Sequence, residues 1–277
     1  MSADTPRRSR PVVVVSMVVV GLMLLMAVLG PWIAPHDPLV INSAAVNQGS
    51  SWNYPLGTDE FGRDILSRML HGIRPTITVA LGATILAGVL GCAMGIAGGY
   101  GQGQMLPGLV MRFVDIMLCF PPVLFALLAV GFWQSGMTSL TVVIGVIYAP
   151  QFARIAQGAT LQVAQLEYVQ AEQVMGARLG RIVFRALIPN IAPVLVVQAT
   201  LTFAEAILLE SGLSYLGLGI VPPDPSWGQM IGTAQKYLAQ NPMYLVWPAL
   251  FLAMTVLAVN ILGDHLRDTF DPRLRRQ

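Results

Sequence analysis

Two carboxylates, Glu205 and Glu210, stand in an otherwise uncharged stretch from residue 186 to residue 216. Ionisable groups inside such apolar stretches are costly, so they usually line a polar path, relay protons or pair with another polar group. The two are five residues apart and therefore share a helix face only in part. Together with Ser214 and Tyr215 they are candidates for a polar path or gate. For Glu210 we favour a structural tie near the end of the stretch, whereas for Glu205 the alternatives stay open.

The other residue types that often carry chemistry do not form a recognisable site. The three histidines fall at or outside the ends of the apolar stretches, and no His or Cys pair has metal-ligand spacing, so we expect no metal site. This placement also argues against an intramembrane protease, which needs a buried base. The sole lysine, Lys236, lies outside any G-x-x-x-x-G-K-[ST] pattern, so we expect no ATP hydrolysis by this chain.

A third group of candidates lies in the segment 167–190, which concentrates charges in a chain that is 55% hydrophobic and 11% charged. Arg178, Arg181 and Arg185 are spaced i, i+3, i+7 and share one helix face. The pattern predicts a helix over 165–175, an interruption at Gly176 and a second helix over 177–188. We expect the opposite face of that second helix to be apolar; its residues are Leu179, Ile182, Val183 and Ala186.

Proline 189 follows this second helix and is expected to stop or redirect it, because proline lacks the N–H donor and restricts the preceding residue. Two interpretations of the whole segment remain open. It is either an amphipathic helix in the membrane interface, with its arginines among lipid headgroups, or a docking element for a partner protein. In the second case Gly176 would permit close approach of the partner's backbone.

Long apolar runs dominate the rest of the chain, whose mean hydropathy is +0.66. Runs of about 20 apolar residues span a bilayer as helices, and they lack the alternation of β-barrel strands. We therefore predict an all-α integral membrane protein with six transmembrane helices. Their expected ranges are 12–34, 75–99, 111–133, 138–160, 190–215 and 243–263. The first run is too long for a signal peptide, so we expect it to be retained.

The distribution of Lys and Arg predicts the orientation of these helices. Twelve basic residues fall on the side of the N-terminus and four on the other side, so both termini and the segment 167–190 are expected to be cytoplasmic. The net charge of +2 reflects this bias and gives no reason to expect nucleic acid as a partner. This topology divides the chain into tails at 1–11 and 265–277, a first helix at 12–34, an external loop at 35–74, and a core at 75–264. The core contains the charged loop at about 161–189.

The external loop carries the pattern PLGTDEFGRD, in which Gly57 and Gly62 are expected turn formers. Asp59, Arg63 and Asp64 are candidates for ion pairs within the loop. A short interfacial helix is expected to follow at DILSRMLHGIR. We expect the loop to cover the outer mouth of the membrane domain, to contact a partner or substrate there, or to do both.

Two smaller expectations concern single side chains. Trp227 lies in the Pro- and Gly-rich segment 216–230 and is expected to anchor the external mouth at the membrane interface. Asp115 follows Arg112 by three residues near the inner end of the third predicted helix. We expect Asp115 either to form a local ion pair with Arg112 or to act as a structural anchor.

The segment 167–190 resembles the cytoplasmic loop of permease subunits of bacterial ABC importers, which has the pattern E-A-A-x3-G-x9-I-x-L-P. Gln170, Ala171 and Glu172 occupy the first three places, and Gly176 and Pro189 follow at the family's spacing. The chain matches the pattern at Ala171, Gly176 and Pro189. It departs from the pattern at Gln170, Glu172, Ala186 and Ile188.

Four further segments are similar to the dipeptide, oligopeptide and nickel permease family, in particular to its second, "C"-type component. They are YPLGTDEFGRDILSRMLHGIR, MRFVDIMLCFPP, ESGLSYLGLGIVPPDPSWGQMI and NILGDHLRDTFDPRL. The resemblance implies a multi-pass protein of the bacterial inner membrane that pairs with a second, homologous permease. It implies that two ATPase subunits, which bind ATP and Mg²⁺, dock on the loop at 161–189 as a coupling helix. It also implies an external solute-binding protein that delivers the substrate, which contacts the outer loops.

The resemblance favours small peptides as the substrate, with nickel or a metal chelate as the alternative. A function of another class, proton-coupled secondary transport through Glu205 and Glu210, would need no ATPase. We expect no cofactor in this chain.

Overall fold

The fold is that of a helical bundle, seen in a computed structural model that describes residues 10–101, 105–133 and 135–270. The helices are α1 (Arg10–Ile33), α2 (Ile65–Tyr100), α3 (Met105–Leu118), α4 (Pro122–Phe132), α5 (Met137–Ala164), α6 (Glu167–Val174), α7 (Leu179–Ile182), α8 (Ile188–Tyr215), α9 (Trp227–Ala234) and α10 (Pro242–Phe270). Short 3-10 turns at Ser43–Ala45 and Gln235–Tyr237 and a π turn at Val183–Leu187 complete the regular structure of these ranges.

Five of the six predicted membrane helices are confirmed as helices long and apolar enough to cross a bilayer. The third prediction, one helix over 111–133, is wrong in detail because α3 and α4 are two helices bent by 96°. The break falls at 119–121, where Pro121 and Pro122 lack N–H donors and force the preceding residues out of the helical region. The bent pair counts as a sixth span only when its two halves are taken together.

The main core lies where α2, α5 and α8 meet, and α4 and α10 complete it. The first helix packs on α2 and α10 at the edge of the bundle. Most of its side chains are exposed, which suits a helix surrounded by lipid.

The predicted short interfacial helix after the long loop is not a separate element. It forms the first turns of α2, which runs unbroken for 36 residues with Pro75 inside it. Asp64 caps this helix by accepting a hydrogen bond from the backbone N–H of Ser67 at 3.1 Å. The first turns continue straight into the bundle because Ile65 and Met69 are buried against α9 and α10.

A row of glycines allows α2 and α5 to pack with their backbones in close contact. Gly91, Gly95 and Gly99 recur every four residues on one face of α2. A Cβ at Gly91 or Gly95 would collide with the backbone of Ala153, and one at Gly99 would lie 2.8 Å from Cβ of Thr160. Small residues at this spacing are a common means of packing helices within membranes.

Substituting Gly95 with leucine is expected to separate α2 from α5, because neither backbone can yield to a branched side chain. The expected loss is about 1–3 kcal/mol or more of folding free energy. Thermal unfolding of the purified protein in detergent measures it. Gly21→Leu on α1 is the matched control, since nothing lies within 4 Å of a Cβ there. An unchanged unfolding temperature for Gly95→Leu would contradict this packing.

Of the two roles predicted for Asp115, the local ion pair with Arg112 is wrong, whereas the role of a structural anchor agrees with the contacts described. Asp115 of α3 instead forms an ion pair with Arg154 of α5. The two helices pack against each other, so the tertiary partner is closer than the neighbour on the same helix. This ion pair ties the bent α3–α4 element to the central part of the bundle.

Candidate functional site

The connecting arm, residues 165–187, joins α5 to α8 and contains α6 and α7. Gly176 interrupts the two helices with a φ of +75°, a conformation that glycine adopts at no steric cost. The base of the arm is anchored in a small apolar cluster, in which Val169, Ile182 and Leu187 are fully buried. The predicted helix–glycine–helix arrangement is therefore present, and its base is packed firmly against the bundle.

The tip of the arm is apolar and exposed. Val174 is 89% exposed, Met175 is 76% exposed and Phe184 is 72% exposed. Leu179, one of the residues predicted for the apolar face, is also exposed, whereas Ile182 and Ala186 of that face are buried. The predicted arginines also lie on this outer surface, as do the residues that occupy the first places of the family's loop pattern. These exposed residues are Gln170, Ala171, Arg178, Arg181 and Arg185, and Glu172 is partly buried.

Of the two effects predicted for Pro189, the end of the second helix is wrong. The helix continues from Leu179 to Tyr215 as a single apolar segment of 37 residues. A π turn just before Pro189 absorbs the irregularity, and the backbone N–H of Ile188 donates to the carbonyl of Val183. Since the hydrogen bonds shift to i→i+5 there, the helix passes a proline that would otherwise break it.

Helix α8 carries the two predicted carboxylates on different faces. Glu210 is fully buried. Its carboxylate accepts hydrogen bonds from the hydroxyls of Ser214 at 2.7 Å and Ser211 at 3.3 Å. The Ser214 hydroxyl in turn accepts from the backbone N–H of Ile220 at 3.1 Å. This arrangement ties the end of α8 to the turn that follows it, in the manner predicted for Glu210.

Glu205 lies on the other side of α8, in a stripe of exposed residues that we call the α8 stripe. Its members follow helical spacing and are Glu205, Leu208, Gly212 and Tyr215. The stripe forms one wall of an open chamber of about 370 Å³ between α4, α5 and α8. Tyr148 and Val123 contribute to the opposite walls. The Tyr215 hydroxyl donates to Gln235 at 2.7 Å, which holds the end of the stripe near the residues after α9.

A polar cluster that was not predicted lies behind Glu205, between α5 and α8. The Gln198 side-chain amide donates to Gln151 at 3.2 Å and to the Thr202 hydroxyl at 3.1 Å. The Gln151 side chain in turn interacts with the Glu205 carboxylate. The sequence signal for this cluster was the presence of two glutamines, Gln151 and Gln198, within otherwise apolar stretches. Their partners depend on how α5 packs against α8.

The loop 34–64 folds around a buried carboxylate at Asp59. One oxygen of Asp59 accepts from the backbone N–H groups of Phe61 and Arg63, both at 2.9 Å. The other accepts from the Arg63 guanidinium at 2.6 Å and lies 3.4 Å from the Arg68 guanidinium. Arg68 is itself buried and donates to the carbonyl of Pro38 at 3.1 Å. The predicted ion pairs are therefore present, and they include Arg68, which was not predicted.

The rest of the loop is tied to the helices in the same way. Asp64 accepts from the Ser67 hydroxyl at 2.6 Å and faces His36 at 3.4 Å. The Asn241 side chain, just before α10, donates to the carbonyl of Thr58 at 3.1 Å. The expected turn formers Gly57 and Gly62 both have positive φ. This loop is therefore a packed cap on one end of the bundle.

The prediction of Trp227 as an interface anchor is wrong. Trp227 is buried, and its indole N–H donates to the carbonyl of Met69 at 3.1 Å. It instead locks the start of α9 against α2. The predicted site residues thus fall into separate places. These are the connecting arm, the α8 stripe with its chamber, the buried face of α8 with Glu210 and Ser214, the start of α9 with Trp227, and the packed loop at the opposite end from the arm.

Comparison with known proteins identifies the family to which a chain with these regions belongs. Residues 87–276 match the family described as "Binding-protein-dependent transport system inner membrane component". The chain belongs to this transport family. Residues 8–49 of the permease match a second family, the N-terminal TM domain of oligopeptide transport permease C. Both matches confirm the resemblance that the motif segments indicated.

Curated relatives of the permease extend over most of its length. It is 35% identical to the di/tripeptide transport system permease protein DppC of Pseudomonas aeruginosa, over 92% of this chain and 86% of the relative. It is 41% identical to a putative peptide permease protein of Brucella suis biovar 1, over 90% of this chain and 83% of the relative. These relatives place the permease among multi-helix membrane subunits of binding-protein-dependent transporters.

A solved structure shows the same fold at lower identity. The permease is similar to a chain of the MetNI methionine ABC transporter in an inward-facing conformation, with a TM-score of 0.59 and 20% identity. The match covers 73% of the permease and 96% of that chain. The architecture described above is therefore an ABC permease fold.

Proposed function

We propose that this permease forms one membrane half of an ATP-driven importer for small peptides. Relatives at 35% and 41% identity are named as di/tripeptide and peptide permeases, which supports peptides as the substrate class. The proposed assembly contains a second, homologous permease and two ATPase subunits that bind ATP and Mg²⁺. An extracytoplasmic solute-binding protein delivers the peptide. The assembly lies in the bacterial inner membrane.

The observation that carries this proposal is the connecting arm. Its base is buried at Val169, Ile182 and Leu187, whereas its tip exposes Val174, Met175 and Phe184. A rigid element with an exposed apolar tip and three arginines suits a protein partner better than headgroups alone, because partners bury such anchors. We assign the ATPase docking surface to this arm, including Gly176 and the exposed arginines.

The orientation follows from the charges and from this docking surface. The arm and both termini face the cytoplasm, on the side with the excess of arginine. The packed loop around Asp59 then faces the solute-binding protein at the other end. Since Asp59, Arg63 and Asp64 are engaged in internal bonds, their role there is to shape the surface that the binding protein contacts.

The mechanism uses the continuity of the arm with α8. When ATP draws the two ATPases together, the docked arms move with them. Each arm moves α8 as a rigid body, since the helix runs unbroken from Leu179 to Tyr215. The α8 stripe lies on that helix, so access to the chamber switches between the two sides of the membrane. Hydrolysis of ATP resets the first state.

Reconstitution of the complete assembly tests this proposal. The permease is co-expressed with its adjacent second permease and ATPases, purified by a tag on the permease, and placed in proteoliposomes with the binding protein. We expect both ATPases to co-purify, and peptide uptake to require ATP and every subunit. Uptake by the permease alone, driven by a proton gradient, would instead identify a secondary transporter. Failure of the ATPases to co-purify would also contradict the proposal.

A further inference from the structure

We propose that Glu205 binds the ammonium group of the transported peptide inside the chamber between α4, α5 and α8. The inference rests on the proposed function and adds a solute contact to it. The contact would be made by a carboxylate on one wall of an open cavity within the membrane-spanning part of the bundle.

The chamber presents one acidic group in largely apolar surroundings. Its other wall residues are aliphatic side chains, a glycine and tyrosines: Val123, Tyr148, Leu208, Leu209, Gly212, Leu213, Tyr215 and Leu216. Within residues 10–101, 105–133 and 135–270, Glu205 forms no ion pair with a lysine, arginine or histidine. A carboxylate at the edge of an apolar space favours a cationic partner, because it has lost part of its hydration. Every peptide with a free N-terminus brings such a cation.

The surrounding residues hold Glu205 in place for this contact. Gln151 interacts with its carboxylate and is itself fixed by Gln198, which also donates to Thr202. Glu205 is at the same time one of the residues that line the chamber. Tyr148 also lines the chamber, and aromatic rings attract ammonium groups.

The size of the chamber favours a solute over a single side chain from the partner permease. Its volume of about 370 Å³ falls within the range of about 300–1,000 Å³ typical of small-molecule pockets. Gly212 lines the chamber two turns along α8 from Glu205, and nothing lies within 4 Å of a Cβ at that position. An arginine or lysine from the partner would need only a narrow slot.

The test compares three dipeptides in proteoliposomes that contain the complete importer and its binding protein. Dialanine carries only the α-ammonium group, lysyl-alanine adds a side-chain ammonium, and N-acetyl-dialanine carries no ammonium group. Each rate for Glu205→Gln is divided by the wild-type rate for the same peptide. Because the same binding protein delivers the peptides in both cases, its own preference cancels in this ratio.

We expect Glu205→Gln to lower lysyl-alanine uptake about tenfold, the scale of one charged hydrogen bond, and N-acetyl-dialanine uptake much less. A matching loss for dialanine identifies the α-ammonium as the bound group, whereas unchanged dialanine uptake identifies the side-chain ammonium. Glu205→Asp should retain most of the uptake. The yield of assembled complex and its stimulation by the binding protein should stay unchanged.

Three results would overturn the proposal. Uptake at wild-type rates by Glu205→Gln would show that the carboxylate makes no useful contact. An equal loss for all three peptides would indicate a purely structural role. A fall in the yield of assembled complex would indicate an ion pair with the partner permease. A wild-type complex that hydrolyses ATP but imports none of the peptides would refute the proposed function itself.

Discussion

Replacing Asp59 with alanine is expected to remove about 3–5 kcal/mol of folding free energy and to open the loop 34–64. The substitution deletes the acceptor of two backbone N–H groups and of the Arg63 guanidinium. It also leaves Arg68 buried without its carboxylate. A buried charge without its partner lowers the folding free energy far more than the removal of both charges does.

Limited trypsin digestion together with thermal unfolding measures this effect. The opened loop exposes the peptide bond after Arg63, so cleavage there should become faster. Asp37→Ala is the matched control, because Asp37 lies in the same loop but is exposed and bonds only to the N–H of Leu39 among the contacts described. We expect the control to change stability by about 1 kcal/mol or less.

The double variant Asp59→Ala/Arg68→Met gives the decisive comparison. It removes both buried charges, so it should recover part of the stability that Asp59→Ala loses. Equal stability of Asp59→Ala and the wild type would show that the buried carboxylate does not hold the loop. A double variant no better than the single one would place the loss in the backbone hydrogen bonds.

Replacing Gly176 with valine is expected to reduce peptide uptake by more than tenfold and to separate it from ATP hydrolysis. At a φ of +75°, a β-branched residue is strained, and left-handed backbone costs roughly 1–2 kcal/mol for ordinary residues. The arm would relax toward another angle between α6 and α7. The docking surface would then no longer match the ATPases, while the membrane helices remain folded.

Uptake and ATPase activity are measured on the same proteoliposomes. Gly176→Asn tests the cause, because asparagine tolerates the left-handed region and should retain much more uptake than valine. Equal losses in the two variants would instead mean that the partner's backbone approaches Gly176 too closely for any side chain. Gly158→Val on α5 is a control for added bulk, since nothing lies within 4 Å of a Cβ there. Normal uptake by Gly176→Val would contradict the role of the arm.

Hydropathy and local spacing were sufficient to predict most of the elements. Apolar runs have to be helical in lipid, which accounts for α1, α2, α5, α8 and α10. The interruption at Gly176 was also predictable, because it depends on local backbone preference. The ion pair of Asp59 with Arg63 joins residues four apart, so it too could be read from the sequence.

Features that depend on which helices pack together could not be predicted in this way. Asp115 pairs with Arg154 because α3 lies against α5, and no local rule reveals that contact. The burial of Trp227 requires Met69, 158 residues away along the chain. The chamber beside Glu205 is likewise a product of three helices, so the sequence indicated a costly carboxylate without indicating what it faces.

In the proposed mechanism, the unbroken helix from Leu179 to Tyr215 would act as a lever that amplifies small rotations. Its 37 residues give a length of about 55 Å, so a tilt of about 10° about one end displaces the other by about 10 Å. Such a displacement is comparable to the combined width of one side chain of a bound peptide and the residues next to it. The π turn beside Pro189 is the weakest point of this lever. A stiffer sequence there would transmit more of the motion of the arm to Glu205, whereas a more flexible one would absorb that motion by bending.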